Sequence, residues 1–295
     1  MLRRISPSLA AATVLVAALS GTAVLVAALL ASPPGAPVLR WAPSPVSPEP
    51  VPTPAPPAQH ALHSLAVAAE QSPSRPPPPA FTAWAIMDLR TGAIDGSPNL
   101  ASTSTTASMI KAWLVADYLR QTSNPPAKRL EELSVIIRDS RNEPAQTLFQ
   151  DLGEEESIHR LIDICELTDS RAVPGYWSNT QLSPRDTVRM GACLADGRAA
   201  GPQWTSWVLD EMRQVRGLGD FGIRHAFPED QRADIAIKNG WVTRDESGEY
   251  HVNCLAIGDT WSMGVMTRYP ASLGYQHGAE ICRSLAAEHL LPRVL

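Results

Sequence analysis

Residues 32–80 carry 16 of the chain's 27 prolines, and the segment closes on Pro76-Pro77-Pro78-Pro79. Proline fixes φ and lacks a backbone donor, so such a stretch can neither run a helix nor sit inside a sheet. It buries no core and reads as an extended, semi-rigid spacer. A folded domain of any size must therefore come from residues 81–295. Alanine and leucine between His60 and Gln71 allow a short helix within the spacer, to which no function attaches.

Ahead of the spacer, Arg3-Arg4 precedes an uncharged apolar stretch at residues 9–31. Its length, about 20 residues or slightly more, is what a membrane-spanning helix needs. The positive flank keeps the N-terminus in the cytoplasm and sends the rest outward. A cleaved signal peptide is the competing reading, but the apolar region is long and has no clean Ala-x-Ala site. No cysteine follows it to carry a lipid. The expectation is a signal peptide or membrane anchor at 1–31, the anchor being favoured. A linker at 32–80 then holds a domain at 81–295 on the extracellular face, secreted or tethered.

The chain carries a formal charge of -5, and residues 81–295 hold 21 basic against 28 acidic side chains. That balance lacks the electrostatic footprint of a nucleic-acid binder. The seven histidines show no metal-ligand spacing, and the four cysteines contain no Cys-x-x-Cys pair. Neither a metal nor a cofactor is expected. In an exported domain an even cysteine count points to disulfides, with three connectivities open. Cys165–Cys193 and Cys254–Cys282 are favoured over the others, with buried free thiols as the alternative. The first pair joins helices on either side of a loop. In the second, Cys254 shares a strand face with Val252 and Ala256, and Cys282 lies with Leu285 and His289 on one face of the last helix.

Alternation and turn residues predict a strand at 82–89, a turn at Arg90-Thr91-Gly92 and a short return strand at Ala93-Ile94. Helices are expected at 108–121, 130–138, 143–152 and 157–167. An irregular loop at 168–182 then precedes Ser183-Pro184-Arg185-Asp186, which opens a helix with a serine cap, a proline and a carboxylate. A further helix covers 204–215. Three strands at 235–243, 250–257 and 261–269 form a meander, and a helix at 278–290 closes the chain. The pattern is an α+β or α/β sandwich with a five-stranded antiparallel sheet, a helical block and packing helices. A monomer is expected.

Among 25 basic residues only Lys111, Lys128 and Lys238 are lysine. Arginine stays protonated in proteins, so a basic side chain able to accept a proton must be one of these three or a histidine. Ser108 lies three residues before Lys111 at the start of an apolar helical run, where the two share a helix face about 5–6 Å apart at Cβ. A serine falls there by chance roughly 7% of the time, so the pair alone is weak. Two further motifs follow in order: Ser140-Arg141-Asn142 in a loop between helices, and Lys238-Asn239-Gly240 within a strand.

Together the three motifs resemble those of the penicillin-recognising serine hydrolases, the class A β-lactamases and penicillin-binding proteins, which carry Ser-x-x-Lys, Ser-Asp-Asn and Lys-Thr-Gly in that order. The resemblance covers the chain from residue 82 onward and implies a β-lactamase/transpeptidase-like fold. It implies Ser108 as nucleophile, Lys111 as proton acceptor, Ser140 as relay to the leaving group and Asn142 as a hold on the acyl amide. Lys238 would supply positive potential, the amides of Ser108 and Trp241 an oxyanion hole, and Asn239 and Gly240 a substrate-binding edge. The substrate implied is a small-molecule β-lactam, another amide or an ester, or a cell-wall peptide.

Three departures are informative. Arg141 replaces an aspartate, and Asn239 replaces a hydroxyl-bearing residue. Between Ser170 and Arg185 there is no carboxylate, where class A enzymes place a glutamate that activates the deacylating water. Glu166, Asp169 and Asp186 near that loop read as structural. The sequence therefore supports an exported acyl-serine hydrolase, with a cell-wall binding pseudoenzyme of the same fold as the alternative.

Overall fold

The structure is a computed structural model that describes residues 80–294. The apolar stretch at 9–31, the proline-rich spacer and the short helix near residues 60–71 lie outside the described residues. Among those described, no helix is long and apolar enough to cross a membrane.

The centre of the domain is an antiparallel sheet. Strand β1 (Phe81–Asp88) pairs on one side with the short β2 (Ile94–Gly96). Strand β3 (Ser104–Thr105) pairs with β4 (Gln181–Leu182) in a separate ribbon that the sequence did not announce. Strands β5 (Ala236–Ile237), β6 (Gly240–Arg244), β7 (Glu249–Ile257) and β8 (Trp261–Pro270) complete the main sheet. Its order is β2-β1-β8-β7, with both β5 and β6 on the outer side of β7.

Those two outer pieces are one edge strand. Ala236 lies opposite Ile257 and Gly240 opposite Asn253, a single uninterrupted register, and the Lys238 N–H donates to the Leu255 carbonyl at 3.1 Å between them. The expected strand at 235–243 is present, broken in regular form only at Lys238-Asn239, and the sheet has the expected five positions.

Each face is covered by helix. On one, α5 (Pro184–Ala195) packs so closely that a Cβ on Gly264 would lie 2.7 Å from the Thr187 methyl, and one on Gly191 would lie 3.1 Å from Leu255. Its N-terminus is built as read from the sequence: Ser183 Oγ accepts the Asp186 N–H at 3.0 Å, with Pro184 in the first turn. On the other face, α7 (Gly274–Leu285) brings Gly278 against Val252 and Tyr269. Successive strand residues alternate faces, so Leu255 faces α5 while Val252 and Cys254 face α7. The chain stays helical through Leu291–Val294.

Between β3 and β4 in sequence lies a helical block. A 3₁₀ turn, Ala107–Ile110, runs into α1 (Lys111–Gln121), followed by α2 (Ala127–Arg138), α3 (Asn142–Asp151) and α4 (Glu155–Ile164); α6 (Thr205–Arg213) joins it later. Helix α1 is buried around nearly its whole circumference, as a central helix must be when others pack on every side. Its one buried carboxylate, Asp117, is satisfied by Arg120, Arg160 and the Ser157 hydroxyl.

Both favoured disulfides are present, Cys165–Cys193 and Cys254–Cys282, and among the described residues no free cysteine remains.

Candidate active site

Ser108 sits in the 3₁₀ turn that feeds α1, mostly buried, directly after Ala107, whose φ is +47°. A left-handed backbone at a residue with a Cβ costs about 1–2 kcal/mol and persists only where surrounding packing fixes it. That packing comes from three directions. The Thr106 N–H donates to the Thr180 carbonyl at 2.9 Å. Thr105 is pinned to β7 by Asn253, whose Nδ2 donates to its carbonyl at 2.8 Å, and by His251, 2.7 Å from its hydroxyl. Gly240 of β6 then lies against the turn itself. A Cβ there would clash with the Thr106 carbonyl and come within 2.6 Å of Met109 N and 2.8 Å of Ser108 N.

The glycine thus lets β6 pass beside the Ser108 amide. Because the Lys238 N–H points to β7, alternation directs the Gly240 N–H to β7 also and the Trp241 N–H to the open edge. The Trp241 N–H therefore lies on the open side of the strand, next to the turn that carries the Ser108 amide. The Trp241 ring packs edge-on against Phe221 and Tyr275 on the α7 side.

Lys111 is completely buried. Its Nζ donates to the Ser140 carbonyl at 2.6 Å and to Asn142 Oδ1 at 2.7 Å, with Ser140 Oγ at 3.4 Å. The Trp177 ring centroid lies 4.5 Å from the same nitrogen. Burial, and then the charge of Lys238, push this amine down to about 6. A neutral amine has two N–H donors and one lone pair. The fixed oxygens at 2.6 and 2.7 Å suit both donors, which leaves the lone pair for the longer contact toward Ser140 Oγ or for a proton. Ser108 Oγ itself makes no hydrogen bond among the described residues.

Ser140 lies at the end of α2 with φ +55°, its turn closed by the Arg141 N–H donating to the Val135 carbonyl. Glycine or asparagine would adopt this backbone more cheaply. Serine there presents its carbonyl to Lys111 and its hydroxyl to Lys238, whose Nζ lies 3.0 Å away. Asn142 opens α3, exposed, with its side-chain carbonyl on Lys111. Lys238 is wholly buried, also donates to the Asn239 carbonyl, and is pushed by burial down to about 7. Ser108, Lys111, Ser140, Asn142, Lys238, Gly240 and Trp241 therefore converge on one site.

Asn239 does not join them with its side chain. It faces away from Lys238, as the strand period demands, and its Nδ2 donates to the carbonyls of Gly219 at 3.0 Å and Phe221 at 2.9 Å. It is 1% exposed, so the expectation of a substrate-binding Asn239 side chain is corrected to a loop-holding one. Arg141 is exposed beside the site. The three carboxylates near the 168–182 loop each have a partner of their own. Glu166 pairs with Arg198, Asp169 with Arg185, and buried Asp186 accepts from the Thr168 and Asp169 N–H groups and the Ser170 hydroxyl.

Sequence reasoning missed Trp177 and His251. A tryptophan in an irregular loop was the available signal for the first. Burial pushes His251 down to about 4, an outcome of tertiary packing with no local signature. Among the described residues no group of side chains is arranged to hold a metal ion.

No protein-family model matches this sequence, and no curated protein matches it. Solved structures do. A class A β-lactamase from Mycobacterium abscessus superposes with a TM-score of 0.56 at 14% identity, over 70% of this chain and 92% of that one. L2 complexed with relebactam gives 0.57 at 14% identity over 70% and 89%, and an ancestral (GNCA) class A β-lactamase gives 0.52 at 16% over 70% and 92%. The described domain has the fold of the class A β-lactamases.

Proposed function

We propose that this protein is an exported serine hydrolase that forms an acyl-serine intermediate at Ser108 on a β-lactam, another amide or an ester, including cell-wall peptide. The observation that carries the reading is the setting of Lys111: a fully buried amine whose Nζ is tied to Ser140 and Asn142, with a second buried lysine on the same serine. The Lys111 lone pair takes the Ser108 proton as Oγ attacks the substrate carbonyl. The amides of Ser108 and Trp241 receive the oxyanion. Ser140, between the two lysines, passes a proton to the departing nitrogen or oxygen as the tetrahedral adduct collapses, and Lys238 supplies the positive potential that holds an anionic substrate group. The two disulfides suit an oxidising compartment. The apolar stretch at 9–31 and the spacer at 32–80 would tether residues 81–295 outside the membrane as a monomer.

One observation favours a second reading, a cell-wall binding pseudoenzyme: the loop that would carry a deacylating base offers Trp177 to Lys111 and no carboxylate. The test is incubation with a fluorescent penicillin or a fluorophosphonate, followed by peptide mass mapping. Added mass at Ser108, lost in Ser108→Ala, is expected. An unlabelled parent indistinguishable from Ser108→Ala would establish the binding-only reading instead.

A further inference from the structure

Three walls close around Lys111. Lys238 faces it from the broken edge strand, Ser140 and Asn142 from the turn between α2 and α3, and Trp177 from the 168–182 loop. Among the described residues the charge acting on the amine is that of Lys238. The loop wall is the unusual one. Trp177 is 3% exposed and its ring centroid is 4.5 Å from Lys111 Nζ. A water held between them would need about 2.8 Å to the amine and a similar distance to the ring, roughly 6 Å in all. The indole therefore occupies the space a water would take.

The ring is also fixed. The turn Trp177–Asn179 is followed at once by the Thr106-to-Thr180 hydrogen bond, and Arg171 and Gln181 exchange backbone hydrogen bonds across the loop's base. On the outer side, Tyr176 packs against Trp177 at 5.3 Å between centroids, and the Gly175 N–H is held by Glu155. Nothing in this arrangement resembles a hinged cover. Trp177 Nε1 is buried with no partner among the described residues, a cost that phenylalanine at the same place would not incur.

We infer that Trp177 is the positioning residue that keeps water off the Ser108–Lys111 pair, and that it thereby makes an acyl-Ser108 ester long-lived. The inference rests on the acyl-serine reading for its second half. The same ring acts in both halves of a reaction cycle. By excluding water it favours the neutral amine that acylation needs, and by filling the loop side of Lys111 it takes the place of a water that this amine could activate against the ester. The attraction of the ring for a protonated amine opposes the first effect. Desolvation of a fully buried amine is the larger effect, up to 3–5 pH units.

The test uses the full chain, Trp177→Ala and the ring-preserving Trp177→Phe, with two measurements. The chain has only three lysines, so [13Cε]lysine NMR follows Lys111 through a pH titration in the absence of substrate. Intact mass after a penicillin pulse gives the acyl-enzyme lifetime. In folded W177A the Lys111 midpoint should rise by about one pH unit or more, and the lifetime should fall about tenfold or more. W177F should follow the parent in both. An unmoved midpoint in W177A overturns the inference whether or not Ser108 is acylated, and so does an unmoved lifetime. A parent that gains no mass at Ser108 instead retires the acyl-serine reading, and the lysine titration then decides the water-exclusion claim alone.

Discussion

Lys111 and Lys238 meet at one hydroxyl: Ser140 Oγ lies 3.0 Å from the Nζ of Lys238 and 3.4 Å from that of Lys111. Two buried ammonium groups this close repel, and burial already disfavours the charge on each. A site that holds one of them neutral and the other charged has a base and an anchor made from the same residue type. The repulsion is mutual, so the pair sheds one proton readily, and on the proposed reading that proton leaves Lys111.

Acylation by an anionic probe should consequently be bell-shaped in pH. The rate rises as Lys111 deprotonates through about 6 and falls as Lys238 loses its charge through about 7, with the two limbs belonging to the coupled pair. A neutral ester probe should lose the descending limb. In Lys238→Met the repulsion on Lys111 disappears, so the ascending limb should move to higher pH. Stopped-flow acylation across about pH 5–9, which brackets the pair, reads all three. An ascending limb that stays in place in K238M would contradict the coupling.

Gly240→Ala tests the oxyanion geometry. The added methyl meets backbone atoms of Thr106, Ser108 and Met109, which cannot swing aside as a side chain tip can. Overpacking of this kind costs about 1–3 kcal/mol of stability. Displacing one oxyanion donor lowers acylation by about 10²–10³-fold. Denaturant titration beside labelling kinetics separates the two. A rate loss no larger than the fraction unfolded would remove β6 from the oxyanion hole.

Much of this site was legible in the chain because its motifs carry chemistry and local structure together. Ser108 and Lys111 open an apolar helix, and Lys238 lies in a strand run whose register with β7 is unbroken. Cys254 could be matched to Cys282 because strand alternation fixed its face. The same alternation, carried from Lys238 to the next residue, turns the Asn239 side chain away from the cleft, whatever its place in the motif. Trp177, His251 and the left-handed backbones at Ala107 and Ser140 were not legible. Each is set by contacts from segments distant in sequence, and loops and strain carry no periodicity.

His251 supplies an acid-side prediction. Its folded value, near 4, lies below the unfolded value of about 6.5. Between these the unfolded chain binds the extra proton, so stability rises with pH across the window and is lost as pH falls through it. The full difference corresponds to about 3 kcal/mol. His251→Gln, which keeps a hydrogen-bonding side chain beside Thr105, should flatten the profile between pH 4 and 6.5, readable from urea midpoints. An equally steep profile in H251Q would place the acid sensitivity elsewhere.

The disulfides should contribute stability without contributing chemistry. Each closes a 28-residue separation, and losing such a bridge costs about 2–5 kcal/mol. Cys165→Ala with Cys193→Ala should lower the melting temperature and also loosen the 168–182 loop that the bridge flanks. Non-reducing peptide mapping should find these two pairs and no others; four alkylatable thiols in exported protein would contradict it.

Asp186 is the anchor on which that loop turns, and its replacement separates loop order from fold stability. Its carboxylate is fully buried and accepts from two backbone N–H groups, Thr168 and Asp169, from the Ser170 hydroxyl at 2.7 Å, and from Arg189 at 3.0 Å. Asp186→Asn keeps the shape but offers one acceptor where there were two, and leaves the Arg189 charge unpaired. Arg189 is partly exposed, so the main cost is the lost acceptor for buried donors, about 1–3 kcal/mol. At a temperature where D186N remains folded, the freed loop should withdraw Trp177 from Lys111. Tryptophan fluorescence quenching and proteolysis between residues 168 and 182 should both increase, and the Lys111 midpoint should rise as it does in W177A. A destabilised D186N whose loop stays protected and whose Lys111 midpoint does not move would show that Trp177 is held by Thr106 and β4 alone.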